Sequence, residues 1–150
     1  MKAKKELCLA HSEEETIGFG KKLARCLRGG DIVLLQGELG AGKTTLVKGI
    51  AAALGIVDTI VSPTFVLMQI YGIRNSESGI KNFAHVDTYR LKNEQELVDI
   101  GIEDYLGAPD TLCVIEWPEK IERLLRGRET IGVTLRHITD KNREIVISNQ

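Results

Sequence analysis

Gly37-Glu38-Leu39-Gly40-Ala41-Gly42-Lys43-Thr44 matches the pattern G-x-x-x-x-G-K-S/T at every position. An apolar run from Ile32 to Leu35 precedes it, so a buried strand is expected over Asp31 to Gln36. Leu46, Val47, Ile50 and Leu54 follow at helical period, and Gly55 closes that helix. A strand, a glycine-rich turn and a helix N-terminus in this order form a cradle for phosphate: backbone N–H groups converge and the helix end adds partial positive charge. In such a cradle Lys43 reaches the β- and γ-phosphates, and the Thr44 hydroxyl ligates Mg²⁺.

Working outward, the chain has 150 residues, which suits one α/β unit spanning 1–150 and leaves too little for two cores. Lys and Arg number 20 against 21 Asp and Glu, a balance without the basic footprint of a protein that holds nucleic acid on its own. Cys8, Cys26 and Cys113 are isolated in apolar surroundings and read as reduced core residues. No C-x-x-C pair exists and His11, His85 and His137 are far apart, which argues against zinc. A charged start over Met1 to Glu6 and the lack of a long apolar span point to a cytoplasmic protein without a membrane role.

Glu6 to His11 reads as a strand, and Ser12-Glu13-Glu14-Glu15 has capping-box spacing for a helix carrying Ile17, Leu23, Ala24 and Leu27 and ending at Gly29-Gly30. Phe65 to Tyr71 and Ile80 to Val86 suit a hairpin. A weak helix is expected over Glu94 to Ile100, a buried strand over Leu112 to Ile115, and a helix over Pro118 to Leu125 with proline at its start. Thr130 to Ile138 and Arg143 to Ser148 alternate as two antiparallel closing strands. The whole predicts an α/β fold: a mixed sheet with helices on both faces and antiparallel terminal strands.

A phosphate loop needs an acidic partner at a neighbouring strand end. Asp87 and Glu116 both end apolar runs, and one of them would serve the metal while the other positions the attacking water. Thr64, in the irregular Ser62-Pro63-Thr64-Phe65 segment after the loop helix, is placed to sense a γ-phosphate. Among the arginines, Arg90 alone sits near a proposed site residue; without a completing arginine, turnover would be slow and a partner would be needed.

Two other readings compete. A small-molecule or nucleotide kinase shares the loop and the size, but neither an acceptor pocket nor an Arg-rich lid is identifiable. A guanine-nucleotide switch would carry N-K-x-D, whereas Asp140-Lys141-Asn142 has the wrong order.

Beyond the loop, Val61-Ser62-Pro63-Thr64-Phe65, His85-Val86-Asp87-Thr88-Tyr89-Arg90-Leu91, Glu96-Leu97 with Gly101, and Ile115-Glu116-Trp117-Pro118-Glu119 occur in an order and spacing that resembles the TsaE (YjeE) family. Those are small bacterial P-loop ATPases of tRNA threonylcarbamoyladenosine biosynthesis. The resemblance, from about Glu13 to Lys120, implies ATP and Mg²⁺ as cofactors, Mg²⁺ ligation by Thr44 and Glu116, and Asp87 with Lys43 as catalytic residues. It implies nucleotide contacts from Glu38, Leu39, Gly40, Ala41, Gly42, Lys43, Thr44 and Thr45, with Thr64 in a switch spanning Ser62 to Phe65. It further implies a nucleotide switch on the TsaB and TsaD partners rather than the transferase, with tRNA met only through that complex. Glu38 stands where the family often has Asp, and Thr88 where it often has Leu; neither change removes a phosphate or metal ligand.

Overall fold

The computed structural model describes residues 5–60, 66–74 and 78–149. Seven strands form one sheet in the order β1-β7-β6-β2-β5-β4-β3. They are β1 (Lys5–Ala10), β2 (Ile32–Gln36), β3 (Met68–Gly72), β4 (Asn82–Asp87), β5 (Thr111–Glu116), β6 (Ile131–His137) and β7 (Arg143–Asn149). The central strands β4, β5, β2 and β6 run parallel, while β3 at one edge and β7 with β1 at the other are antiparallel to their neighbours. The mixed sheet and its antiparallel terminal strands are those expected from the sequence.

Strand β2 explains why its apolar run is continuous. It is flanked by β5 and β6 and covered on both faces, so Ile32, Val33, Leu34 and Leu35 are all buried. Val33 and Leu35 join one core with Leu23 of α1 (Glu13–Cys26) and Leu46, Val47 and Ile50 of α2 (Lys43–Ala53). Ile32 and Leu34 join a second core with Leu97 of α3 (Gln95–Asp99), Ile102 and Ile121, backed by Leu124 and Leu125 of α4 (Glu122–Leu125). Helices therefore cover both faces.

Helix α1 starts as its capping pattern predicts: the Ser12 hydroxyl accepts from Glu15 N at 3.1 Å. Glu15 closes the motif one residue further back, accepting from His11 N at 2.6 Å. Against α1, helix α2 packs backbone to backbone. A Cβ on Gly49 would lie 2.2 Å from the Ile17 carbonyl, and one on Gly20 would lie 2.4 Å from that of Leu46. These glycines let α1 seat the helix that carries Lys43 and Thr44.

Three expectations need correction. Pro118 to Leu125 is a 3₁₀ turn over Pro118–Ile121 followed by the single turn α4, because Ile121 leaves helical geometry at φ −130°. The hairpin strand expected from Phe65 begins at Met68; Phe65 itself lies outside the described residues. Of the cysteines only Cys113 is buried; Cys8 is half-buried on an edge strand and Cys26 is exposed at the end of α1.

Candidate functional site

The loop leaves the C-terminal end of β2, where the parallel strands β4 and β5 also end. Register pairs Leu35 with Glu116 and Asp87 with Glu116, so both carboxylates stand beside the loop. This placement follows from strand length alone. Their neighbours Phe83 and Val114 belong to the core under α1 and α2, so alternation turns Asp87 and Glu116 toward the face carrying α2.

Gly40 and Gly42 take φ of 79° and 99°, conformations that side chains resist. Gly42 is the N-cap of α2, and its carbonyl accepts from Leu46 N at 2.9 Å. The N–H groups of Lys43, Thr44 and Thr45 thus have no acceptor within the helix. Among the described residues no side chain caps this end, and its first turn holds no acidic residue, in contrast to α1 with Ser12 and three glutamates. An anion is the natural complement of such a terminus.

Lys43 is buried on its stem and donates to the Gly37 carbonyl at 2.6 Å. Its ammonium also lies 3.4 Å from the centroid of the Trp117 ring. Burial pushes Lys43 below the usual lysine range, and the carboxylates of Glu116, Asp87 and Glu119 oppose that shift. A phosphate near this ammonium would oppose it further.

Glu116 is buried, with Oε2 2.6 Å from His85 Nε2. Asp87 accepts from the Tyr89 N–H at 3.0 Å and is half-buried. Immediately after Glu116, Trp117 takes φ 61°, the sole non-glycine residue with positive φ among those described. The kink is held because Thr88 Oγ1 contacts the carbonyls of both Glu116 and Trp117, at 3.1 and 2.5 Å. The hydroxyl that sets Thr88 apart from leucine therefore has a use. Tyr89 packs on the Trp117 ring at 5.1 Å, extending the aromatic wall.

These groups line a cleft of about 820 Å³ that includes Gly40, Gly42, Lys43, Thr44, Thr45, Asp87, Glu116 and Trp117. Leu39 is on its rim, strongly exposed, and Ala41 is buried beneath the loop. Glu38 is exposed and does not line the cleft. Thr64 and the rest of Ser62 to Phe65 lie outside the described residues. A larger groove of about 1790 Å³ runs between α1 and strands β1, β6 and β7, lined by Cys8, Phe19 and Ile147 among others. It contains none of the loop residues, Asp87 or Glu116, so the smaller cleft is the candidate site.

Arg90 lines the cleft, but it is not the only arginine there. Arg143 donates through Nε to the Ala41 carbonyl at 3.1 Å and through Nη2 to that of Gly40 at 3.4 Å. Its distance in sequence from the loop hid it; only the antiparallel return of β7 beside β6 brings it close. No group of three or more His, Cys, Asp or Glu suited to a metal exists among the described residues. No helix among the described residues is long and apolar enough to cross a membrane.

The family profile described as "Threonylcarbamoyl adenosine biosynthesis protein TsaE" matches residues 10–145. A protein of Treponema pallidum named tRNA threonylcarbamoyladenosine biosynthesis protein TsaE is 38% identical, the match covering 94% of this chain and 98% of that one. The protein of the same name from Bacillus subtilis is 36% identical, over 90% of this chain and 80% of that one. Among solved structures, the crystal structure of Bacillus subtilis YdiB superimposes with a TM-score of 0.79 at 28% identity, covering 99% of this chain and 88% of that one.

Proposed function

Because the chain belongs to the TsaE family of P-loop proteins linked to threonylcarbamoyladenosine modification of tRNA, we propose that it binds and slowly hydrolyses ATP with Mg²⁺ in the cleft under the loop. Its role is that of a nucleotide-dependent switch on TsaB- and TsaD-like partners, not of the transferase. The observation that carries this reading is the convergence of Lys43, Asp87 and Glu116 on one cleft below an uncapped helix terminus.

In this reading the N–H groups of residues 39–45 cradle the β- and γ-phosphates, and Lys43 leaves the Gly37 carbonyl and the Trp117 ring to meet them. Thr44 and Glu116 hold Mg²⁺, whose chemistry is to neutralise charge on the phosphate oxygens. Glu116 suits that task because a buried carboxylate is a hard oxygen ligand. Asp87, oriented by the Tyr89 N–H, positions the water that attacks the γ-phosphate. Ser62 to Phe65, with Thr64, changes with the nucleotide state and conveys it to the partners. A formal charge of −1 suits a protein that leaves the tRNA to them.

The test is a pull-down with TsaB- and TsaD-like proteins in ATP, ADP or no nucleotide, alongside phosphate release by the chain alone. ATP-dependent association with weak isolated turnover is expected. Equal recovery in all three conditions would remove the switch role, and rapid hydrolysis by the lone chain would remove the need for partners.

A further inference from the structure

The His85 imidazole is fully buried on β4, and its Nε2 lies 2.6 Å from Glu116 Oε2. Its other nitrogen, Nδ1, is buried without a hydrogen-bond partner among the described residues. Burying a polar ring atom unpaired is unfavourable, so a histidine here needs a reason that a leucine or phenylalanine would not supply. Phe83 precedes it on the same face of β4, and the two rings stand 6.3 Å apart, so the ring plane is fixed by packing as well as by the bond. The partner it holds is the carboxylate at the end of β5, next to the loop.

The geometry points to His85 as a positioning residue for the magnesium ion: by engaging Oε2 it restricts the Glu116 carboxylate to one rotamer and one coordinating oxygen, Oε1. A carboxylate with both oxygens available can swing, or chelate a cation in two-toothed fashion. Magnesium demands near-octahedral geometry and retains water, so a single aimed oxygen suits it better. A hydrogen-bonded outer partner orients the ligand, and its loss costs about 10- to 100-fold in metal affinity. This inference rests on the reading of Glu116 as a magnesium ligand, and its test separates the two.

Calorimetric titration of the full chain with the non-hydrolysable analogue adenylyl imidodiphosphate, in Mg²⁺ and in EDTA, gives the gain in affinity that the metal confers. His85→Leu is expected to shrink that gain about 10- to 100-fold while leaving the EDTA affinity unchanged. His85→Gln, whose amide nitrogen reaches about as far as Nε2, should recover most of it. An unchanged gain in His85→Leu, or equal losses with and without metal, overturns the positioning role. If Glu116→Gln also keeps the full gain, the reading of Glu116 itself falls. Should His85→Leu fail to fold, the wild-type imidazole ¹⁵N shifts decide the matter. His85 Nε2 should move when the analogue binds with Mg²⁺ and stay put when it binds in EDTA, and an Nε2 indifferent to the metal refutes the inference.

Discussion

The guanidinium of Arg143 donates to the carbonyl of Ala41 at 3.1 Å, joining the start of β7 to the glycine-rich loop across 102 residues of sequence. Its Nη1 also donates to the carbonyls of Thr139, Asp140 and Asn142, so one side chain ties the β6–β7 turn to the loop. With its carbonyls at Gly40 and Ala41 engaged on the outside, the loop is biased to present its N–H groups inward. Arg143→Ala should therefore weaken nucleotide binding and lower stability together, by about 1–3 kcal/mol for the loss of several charge-assisted bonds. Arg143→Lys should rescue little, since a point charge cannot span both sets of carbonyls. Binding of a fluorescent ATP analogue and urea denaturation measure the two effects; wild-type affinity in Arg143→Ala would show that the loop holds its shape unaided.

Lys43 is held in a partly desolvated setting that lowers its affinity for a proton. Lys43→Met keeps the apolar stem and removes the ammonium, so stability should stay within about 1 kcal/mol of wild type, lost hydrogen bond and relieved desolvation offsetting each other. Triphosphate affinity should fall by roughly 10- to 100-fold, the worth of a charged hydrogen bond of about 1.5–3 kcal/mol. Calorimetry with ATP analogue and a thermal melt on the same sample separate the effects, and loss of both would recast Lys43 as structural.

Asp87 differs from Lys43 in the step it is assigned. Asp87→Ala should retain ATP binding within a few-fold and lose turnover by about 10²–10⁴, the range for removal of a general base or water-positioning group. Single-turnover hydrolysis with the partners present is the measurement. Normal hydrolysis by the variant would reassign the role.

Much of the fold was legible because its signals are local. Alternation marks β6 and β7, the continuous apolar run Ile32 to Leu35 marks a strand buried on both faces, and Ser12 with Glu15 marks the start of α1. Asp87 and Glu116 were legible as strand-end acids, because parallel strands bring their C-terminal ends to one edge. What sequence hid depends on tertiary placement. Arg143 reaches the loop only through the reversal from β6 to β7, and Cys26 looks apolar in sequence yet falls on the outer face of α1. The helix expected from Pro118 breaks at Ile121, whose burial in the second core overrides helical propensity.

Helix glycines make a sharper contrast than propensity suggests. Gly18 and Gly49 both sit inside helices, where alanine alone would gain about 0.5–1 kcal/mol. A Cβ at Gly18 meets nothing within 4 Å, so Gly18→Ala should stabilise by that amount. At Gly49 the same atom would stand 2.2 Å from the Ile17 carbonyl, which is backbone and yields only if the helices part. Overpacking of about 1–3 kcal/mol then outweighs propensity, and Gly49→Ala should be net destabilising. Urea midpoints shifting in opposite directions would bear this out, and a stabilised Gly49→Ala would show that α1 and α2 separate easily.

Cys113 contributes to the alkaline side of the stability profile. Burial raises its thiol pKa to about 12 from 9.0, with a backbone hydrogen bond at Gly107 and the Arg128 charge opposing the shift. Because the folded state keeps this proton longer than the unfolded chain, the contribution is fully present below pH 9. Above that the unfolded thiol ionises while the folded one does not, so stability falls with pH until the folded thiol also ionises near 12. The slope is about 1.4 kcal/mol per pH unit in that window, an upper figure for one group. Cys113→Ala lacks the titration, and although it should be less stable at pH 8 through lost packing, its deficit should narrow by about 1 kcal/mol at pH 10. Urea melts of both proteins at the two pH values read this directly, and parallel stability curves would show that Cys113 ionises as readily in the folded chain as in the unfolded one.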